Sequence, residues 1–290
     1  MRNNKYREID ARRFELKLKS ETVSEKIHRK EAFRRDPADN RQIRGIVGVL
    51  RNKHNVSEQV KNIYLDAQRE EGSNTQVKEL GDYIAYKCNA TCIPGPIKGI
   101  DGSMRKILDF SEGGYRGNTG LLKDVVRITL IGDSVEIYSN ILSLMRIFCT
   151  RKNRYAIIKD KVVTPDQDTC GYSGANIVVN LPCNRPGEVQ VNVRSIMYGK
   201  MSQKDYCTQL NTDVTAYTAL SKSYGIEGGL GHWFYEIWRV DKFGENGKEA
   251  AALSKDYYAR LREYPRELPN PTAFLNRLNA FKTRNQSPKH

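Results

Sequence analysis

The stretch GEVQVNVRS, residues 187–195, alternates strictly: Val189, Val191 and Val193 fall on one side of an extended chain and Glu188, Gln190, Asn192 and Arg194 on the other. Successive strand side chains point to opposite faces, so a period of two excludes a helix and demands both a partner strand and a core for the valines. The partner is ANIVV, residues 175–179, and the intervening NRPG offers a Pro-Gly turn, so residues 168–193 are predicted to form a hairpin. Taken alone, its polar face is what an antiparallel sheet turns to solvent. Its meaning depends on what surrounds it.

Periodicity orders the rest of the chain. Helical apolar spacing runs through RQIRGIVGVL, VSEQVKNIYLDAQ and VKELGDYIAYKC, with Gly72 and Ser73 dividing the last two, so three helices are expected. After CIPGPIKGIDG, SMRKILDF is predicted helical, DVVRITLIG a β-branched strand, SVEIYSNILSLMRIF an amphipathic helix and RYAIIKD another strand. From about residue 210 the pattern is largely helical. Strands interleaved with helices in this way predict an α/β (α+β) fold, a mixed sheet flanked by helices. The 290 residues, 39% of them hydrophobic, suffice for one large or two ordinary domains with a real core. Residues 1 to about 40 are rich in Arg, Lys, Asp and Asn and read as a basic arm. The expected organisation is an arm and helical extension over 1–75 and a main domain over 76–290 that ends in C-terminal helices.

A formal charge of +14, from 48 Lys and Arg against 34 Asp and Glu, draws in polyphosphates, nucleic acid or acidic surfaces without choosing among them. The six cysteines are scattered rather than densely spaced, which argues for reduced thiols over a disulfide scaffold. Cys88 and Cys92 have no second Cys or His pair nearby to complete a zinc site. The charged first residues and the lack of any long apolar run predict neither a signal peptide nor a membrane span.

Several segments, in order, resemble the RelA/SpoT nucleotide pyrophosphokinase family. IIKDKVVTPDQDTCGYSGANIVV is similar to its Lys-Asp pair, Pro-containing loop and GY-x-S-x-H motif, matched here by Lys159, Asp160, Pro165, Gly171 and Tyr172. EVQVNV resembles its E-(I/V)-Q-(I/L)-R-T strand at Glu188, Val189, Gln190 and Val191, and GIEGGLGHWFYEIWR its G-x-A-A-H-W-x-Y-K stretch at His232, Trp233 and Tyr235. PIKGIDGSMRKIL looks like the phosphate-binding region and LLKDVVRITLI like the Asp-to-Arg strand, so the likeness covers about residues 76–240. Three departures stand out. Asn176 holds the histidine place, Asn192 holds the arginine place with Arg194 two residues on, and Asp124 and Arg127 stand closer than the family pattern. A His-Asp hydrolase motif is missing upstream, which looks like the toxin branch of the family.

The resemblance implies a nucleotidyltransferase-like core that moves the β,γ-pyrophosphate of ATP to the 3′-hydroxyl of a purine nucleotide with Mg2+, giving (p)ppApp or (p)ppGpp. Such transfer rests on positioning and spread positive charge. Lys98, Ser103, Arg105, Lys106 and Arg127 are the expected ATP-binding residues. Asp124 and Glu188 are the expected metal ligands, with Glu188 also a candidate base and Gln190 fixing the hydroxyl or the carboxylate. Lys159, Tyr172, Asn176, Asn192, Arg194 and His232 are the expected acceptor-side residues, Tyr172 by stacking. Two alternatives stay open: pyrophosphorylation of the tRNA 3′ end, and a non-catalytic nucleotide or RNA binder. The asparagines favour a binder; two carboxylates beside a triphosphate oppose it. Expected partners are ATP, the acceptor and an immunity protein or antitoxin, with no membrane. Its substrates place the action in the cytoplasm, whether of the producing cell or of a neighbour reached by secretion.

Overall fold

In the computed structural model, residues 55–109, 115–150, 154–263 and 270–285 are described. The chain divides into two compact units, Met1–Glu58 and Gln59–His290. The predicted basic arm and the helix predicted over 41–50 lie outside the described residues.

In the second unit residues 59–68 are helical. The elements that follow are α1 (Ser73–Cys88), β1 (Thr91–Pro94), α2 (Ile100–Ile107), β2 (Arg127–Gly132), α3 (Val135–Phe148), β3 (Ala156–Val163), β4 (Gly174–Asn180) and β5 (Pro186–Val193). Six further helices complete the unit: α4 (Arg194–Lys200), α5 (Gln203–Gln209), α6 (Val214–Tyr224), α7 (Leu230–Val240), α8 (Glu245–Glu263) and α9 (Thr272–Asn285). The sheet order is β1-β2-β5-β4-β3. Only β2 and β5 run parallel; the other neighbours are antiparallel, so the sheet is mixed as expected.

One face of the sheet is apolar across β2, β5 and β4, while on edge strand β3 the same face carries Asp160, ion-paired with Arg146 of α3 at 2.7 Å. Ile128 and Leu130 of β2, Ile177 and Val179 of β4, and Val189 and Val191 of β5 are all fully or almost fully buried, beneath α1 and α3. Gly81 lets α1 press against β2, because a Cβ there would strike Ile128. The start of α3 is fixed locally: Ser134 Oγ accepts a hydrogen bond from the Ile137 N–H at 3.2 Å, satisfying a donor that helix geometry leaves free.

The C-terminal helices build a second core around Tyr198, Tyr206, Tyr217, Tyr224, Phe234, Tyr257 and Phe281. Ile131, near the end of β2 and on the sheet's other face, belongs to this cluster. The helices therefore cap only one end of the polar face.

The hairpin turn lies three residues earlier than the sequence suggests. Leu181 to Asn184 make it, closed by the Asn184 N–H on the Leu181 C=O at 2.8 Å with Asn184 in the left-handed region. Pro186 and Gly187 instead begin β5, opposite Asn180 and Val179. The first place in a strand tolerates proline, and asparagine accepts the left-handed conformation.

All six cysteines are unpaired thiols, and burial pushes Cys92 and Cys149 up to about 12. Removing core volume from the central strand is expected to be costly. Leu130→Ala should destabilise the fold by about 2–5 kcal/mol, whereas Leu65→Ala, at a half-exposed site, should stay within roughly 0.5 kcal/mol; denaturant titration of both variants checks this.

Candidate active site

Register sets the site. On the face opposite α1 and α3, Arg127, Glu188, Val178 and Lys159 form one row across β2, β5, β4 and β3. Thr129, Gln190, Asn176 and Lys161 form the next. The third row, Ile131, Asn192 and Gly174, passes beneath the helical core, and Asn192 is 0% exposed. The polar side chains of the first two rows remain accessible.

Glu188 is anchored by its backbone, its N–H donating to the Val126 C=O at 3.0 Å. Its carboxylate Oε2 accepts from Gln190 Nε2 at 3.3 Å, and Gln190 Oε1 in turn accepts from Lys200 Nζ at 3.1 Å. Over the second row opens a cavity of about 430 Å3 whose lining includes Arg127, Tyr172, Asn176, Gln190, Lys200 and His232. That volume suits a small organic ligand.

Tyr172 is set by the loop before β4. Asp168 Oδ1 accepts from the N–H groups of Cys170 and Tyr172 at 2.9 and 3.1 Å. Gly171 between them has φ +71°, and a Cβ there would come within 2.8 Å of the Lys255 backbone, so no other residue fits this turn. The Tyr172 hydroxyl donates to Asn192 Oδ1 at 2.6 Å, and its ring meets Tyr258 edge-on at 5.9 Å. Burial pushes the phenol far above its ordinary range, so it remains a neutral donor. Asn192 Nδ2 is buried without a partner among the described residues.

Beside the start of β2 stands a second cluster. The backbone runs close here: the Gly95 N–H donates to the Arg127 C=O and the Lys98 N–H to the Val125 C=O, both at 2.8 Å. Asp124 Oδ2 then accepts from both Lys98 Nζ, at 2.7 Å, and Lys106 Nζ, at 2.9 Å. Burial raises the Asp124 carboxyl, but the two ammoniums outweigh it and hold the group below its ordinary value. Burial likewise lowers Lys106, but Asp124 and Tyr115 outweigh it and keep it raised. Asp124 Oδ1 is buried with no donor among the described residues. An ionised oxygen in that position fits a cation or a cation-bound water. Among the described residues no cluster of three or more His, Cys, Asp or Glu side chains is arranged as a metal site.

The structure thus brings Arg127, Tyr172, Asn176, Gln190 and His232 to one cavity, with Glu188 joined to it through Gln190. It gathers Lys98, Lys106 and Asp124 into the neighbouring cluster. Four predicted residues stand apart. Arg194 does not continue the strand face: it is the first residue of α4, and its Nε donates to Asp133 at 2.5 Å. Lys159 shares the first row but is exposed on edge strand β3, Ser103 is buried in α2, and Arg105 is exposed on that helix. Asn192 supports Tyr172 from below. Lys200, Asp168 and Tyr258 were missed by sequence reasoning. The one available signal was for Lys200, which follows buried Ile196 and Met197 by four and three positions and so shares their side of α4.

No family model matches the chain. Over 194 residues, 66% of this chain, it is 32% identical to the (p)ppApp synthetase toxin Tas1 of Pseudomonas aeruginosa (strain UCBPP-PA14), of whose length it spans 40%. The solved complex between the Type VI effector Tas1 and its immunity protein gives a TM-score of 0.59 at 28% identity, covering 71% of this chain and 97% of that one. A GTP pyrophosphokinase family protein from Streptococcus pneumoniae aligns over 80% of this chain and 97% of its own at 11% identity and a TM-score of 0.43. The mixed sheet, the ordered motifs and the two alignments with Tas1 support a RelA/SpoT-like synthetase fold. Within that class, the chain is similar to the toxin Tas1.

Asp124 carries the pH dependence of its cluster. Because its folded pKa is depressed, its stabilisation is complete above the unfolded carboxylate value, near 3.9, and is lost as pH falls through the folded value. Urea unfolding of wild type and Asp124→Asn at neutral and acid pH should therefore show wild type more stable at neutral pH, with the difference shrinking below about pH 4.

Proposed function

We propose that this domain transfers the β,γ-pyrophosphate of ATP to the 3′-hydroxyl of a purine nucleotide, making (p)ppApp or (p)ppGpp. Likeness to a (p)ppApp synthetase toxin favours adenine as the acceptor base. The observation that carries the reading is the pairing of Arg127 with Glu188 across the two central strands, on the open face and beside a nucleotide-sized cavity. A cation and a carboxylate in that register are what in-line phosphoryl transfer requires: one holds phosphate charge, the other takes a proton.

In this reading Lys98, Lys106 and Arg127 bind the polyphosphate, while Tyr172 and Asn176 meet the acceptor. Glu188 accepts the proton of the 3′-hydroxyl as that oxygen bonds to the β-phosphorus. The bond from the β-phosphorus to the α,β-bridging oxygen breaks, and AMP leaves with the electron pair. Asp124 and Glu188 would hold Mg2+, and the buried, donorless Asp124 Oδ1 fits that role. When bound, the ion neutralises charge on the transferring phosphates.

Tas1 is a Type VI effector with an immunity protein. By likeness, we propose delivery of this chain into a target cell and neutralisation by a cognate immunity protein. Among the described residues no helix is long and apolar enough to cross a membrane.

ATP labelled in its terminal phosphates, Mg2+ and each of ADP, GDP and tRNA decide the matter. Label should move to a purine nucleotide, and Glu188→Gln should lower turnover at least about 100-fold. A tRNA product whose yield falls steeply with salt would shift the acceptor to RNA. No labelled product with any acceptor would leave a nucleotide-binding module instead.

A further inference from the structure

The cavity contains a lysine that no sequence motif assigns. Lys200 is the last residue of α4, a helix held down by buried Ile196, Met197 and Tyr198. Gly199 clamps its end against α8, for a Cβ there would strike Leu261 and come within 3.1 Å of Tyr257 and Tyr258. The lysine that follows extends into the cavity, where its Nζ lies 3.1 Å from Gln190 Oε1 and 5.5 Å from the centre of the Tyr172 ring.

We propose that Lys200 is a positioning residue for pyrophosphate transfer: its ammonium orients the Gln190 carboxamide and, through it, the Glu188 carboxylate toward the acceptor hydroxyl. This rests on the reading of the site given above. The argument is one of donors and acceptors. An ammonium only donates and an ionised carboxylate only accepts, so a carboxamide between them has a single satisfactory orientation, oxygen to Lys200 and NH2 to Glu188. The observed bonds have that sense. Without the ammonium, nothing in this relay opposes the flipped amide, whose oxygen would face the carboxylate.

Arg194, the residue nearest in sequence to the missing strand arginine, is engaged with Asp133 and takes no part in this relay. Lys200 reaches the same strand from the helix instead. Around it stand Arg127 of β2, Glu188 of β5, Asp168 and Tyr172 of the loop before β4, His232 and Tyr235 of α7, and Tyr258 of α8. Burial, and then the charge of Arg127, hold Lys200 below its ordinary value, against the opposing pull of Glu188. Protonated Lys200 is thus lost at lower pH than for a surface lysine, and the alkaline limb of the rate profile should report it.

Two measurements test the relay. In steady-state assays Lys200→Met should lower kcat about 100-fold, with KM for ATP changed less than about threefold. Lys200→Arg, which retains donors, should recover at least about tenfold of that loss and carry its alkaline limb to higher pH. A Lys200→Met enzyme with kcat within twofold of wild type overturns the proposal.

The second measurement needs no turnover. Lysines of the 290-residue chain are 13C-dimethylated and titrated by NMR, the Lys200 signal being assigned by its loss in Lys200→Arg. Its midpoint should lie below that of the surface lysines, fall further in Glu188→Gln and rise in Arg127→Gln. A midpoint in the surface range that moves in neither variant overturns the relay. A wild-type protein that makes no product with any acceptor overturns the transfer reading, and the titration then still decides whether Lys200 is coupled to Glu188.

Discussion

The parallel pairing of β2 with β5 is the constraint on which the remainder of the site depends. It sets Arg127 opposite Glu188, Thr129 opposite Gln190 and Ile131 opposite Asn192. A slip of one residue in β5 would turn all three polar groups into the core under α1 and α3, because the side-chain period of a strand is two. An unpaired carboxylate there costs several kcal/mol. Val189 and Val191, fully buried, oppose the slip with about 1.5–3 kcal/mol each. The same alternation that builds the core therefore holds the polar face in register.

Charge is distributed around this register in two places. Beside the entry to β2, one oxygen of Asp124 holds both Lys98 and Lys106 while its other oxygen has no donor among the described residues. On the sheet, Glu188 is bracketed by Arg127 across the strand and by the Gln190–Lys200 relay along it. Asp124 is thus held directly by two ammonium groups, and Glu188 is linked to one through Gln190. Preorganised charge of this kind costs no rearrangement at the moment of reaction, which is where such sites gain most of their effect.

Much of this was legible in the residues. The alternation of GEVQVNV gave β5 and its faces, and helical periodicity predicted α3 in SVEIYSNILSLMRIF. Tyr172, Gln190 and Glu188 were legible as site residues from the ordered motifs, and the structure sets them within one neighbourhood. What alternation does not encode is where a strand stops. Arg194 continues the pattern on paper, yet Val193 is the last extended residue and the chain turns into α4 behind it. Nor does it encode what later packs above a face. Asn192 has the same parity as Glu188, but the C-terminal helices close over it and leave it wholly buried. The turn was misplaced for a related reason: Pro-Gly is a turn signal, but a left-handed asparagine two residues earlier serves as well. Lys200 depends on a helix folding back over the sheet, a tertiary fact with only a faint local signature.

The burial of Asn192 gives its identity a physical reason. An arginine at this place would lay a guanidinium beneath an apolar cluster of tyrosines and aliphatic side chains, where a charge needs full pairing to be tolerated. The neutral amide instead accepts the Tyr172 hydroxyl at 2.6 Å. Because burial keeps that phenol protonated, its hydrogen bond to Asn192 does not depend on a titration near neutral pH. Positive charge then enters from the helix, where Lys200 reaches Gln190 at the edge of the cavity instead of under the core. Rigid aromatic support and titratable charge are in this way carried by different residues. This side of the cavity can hold its shape while its charge remains titratable.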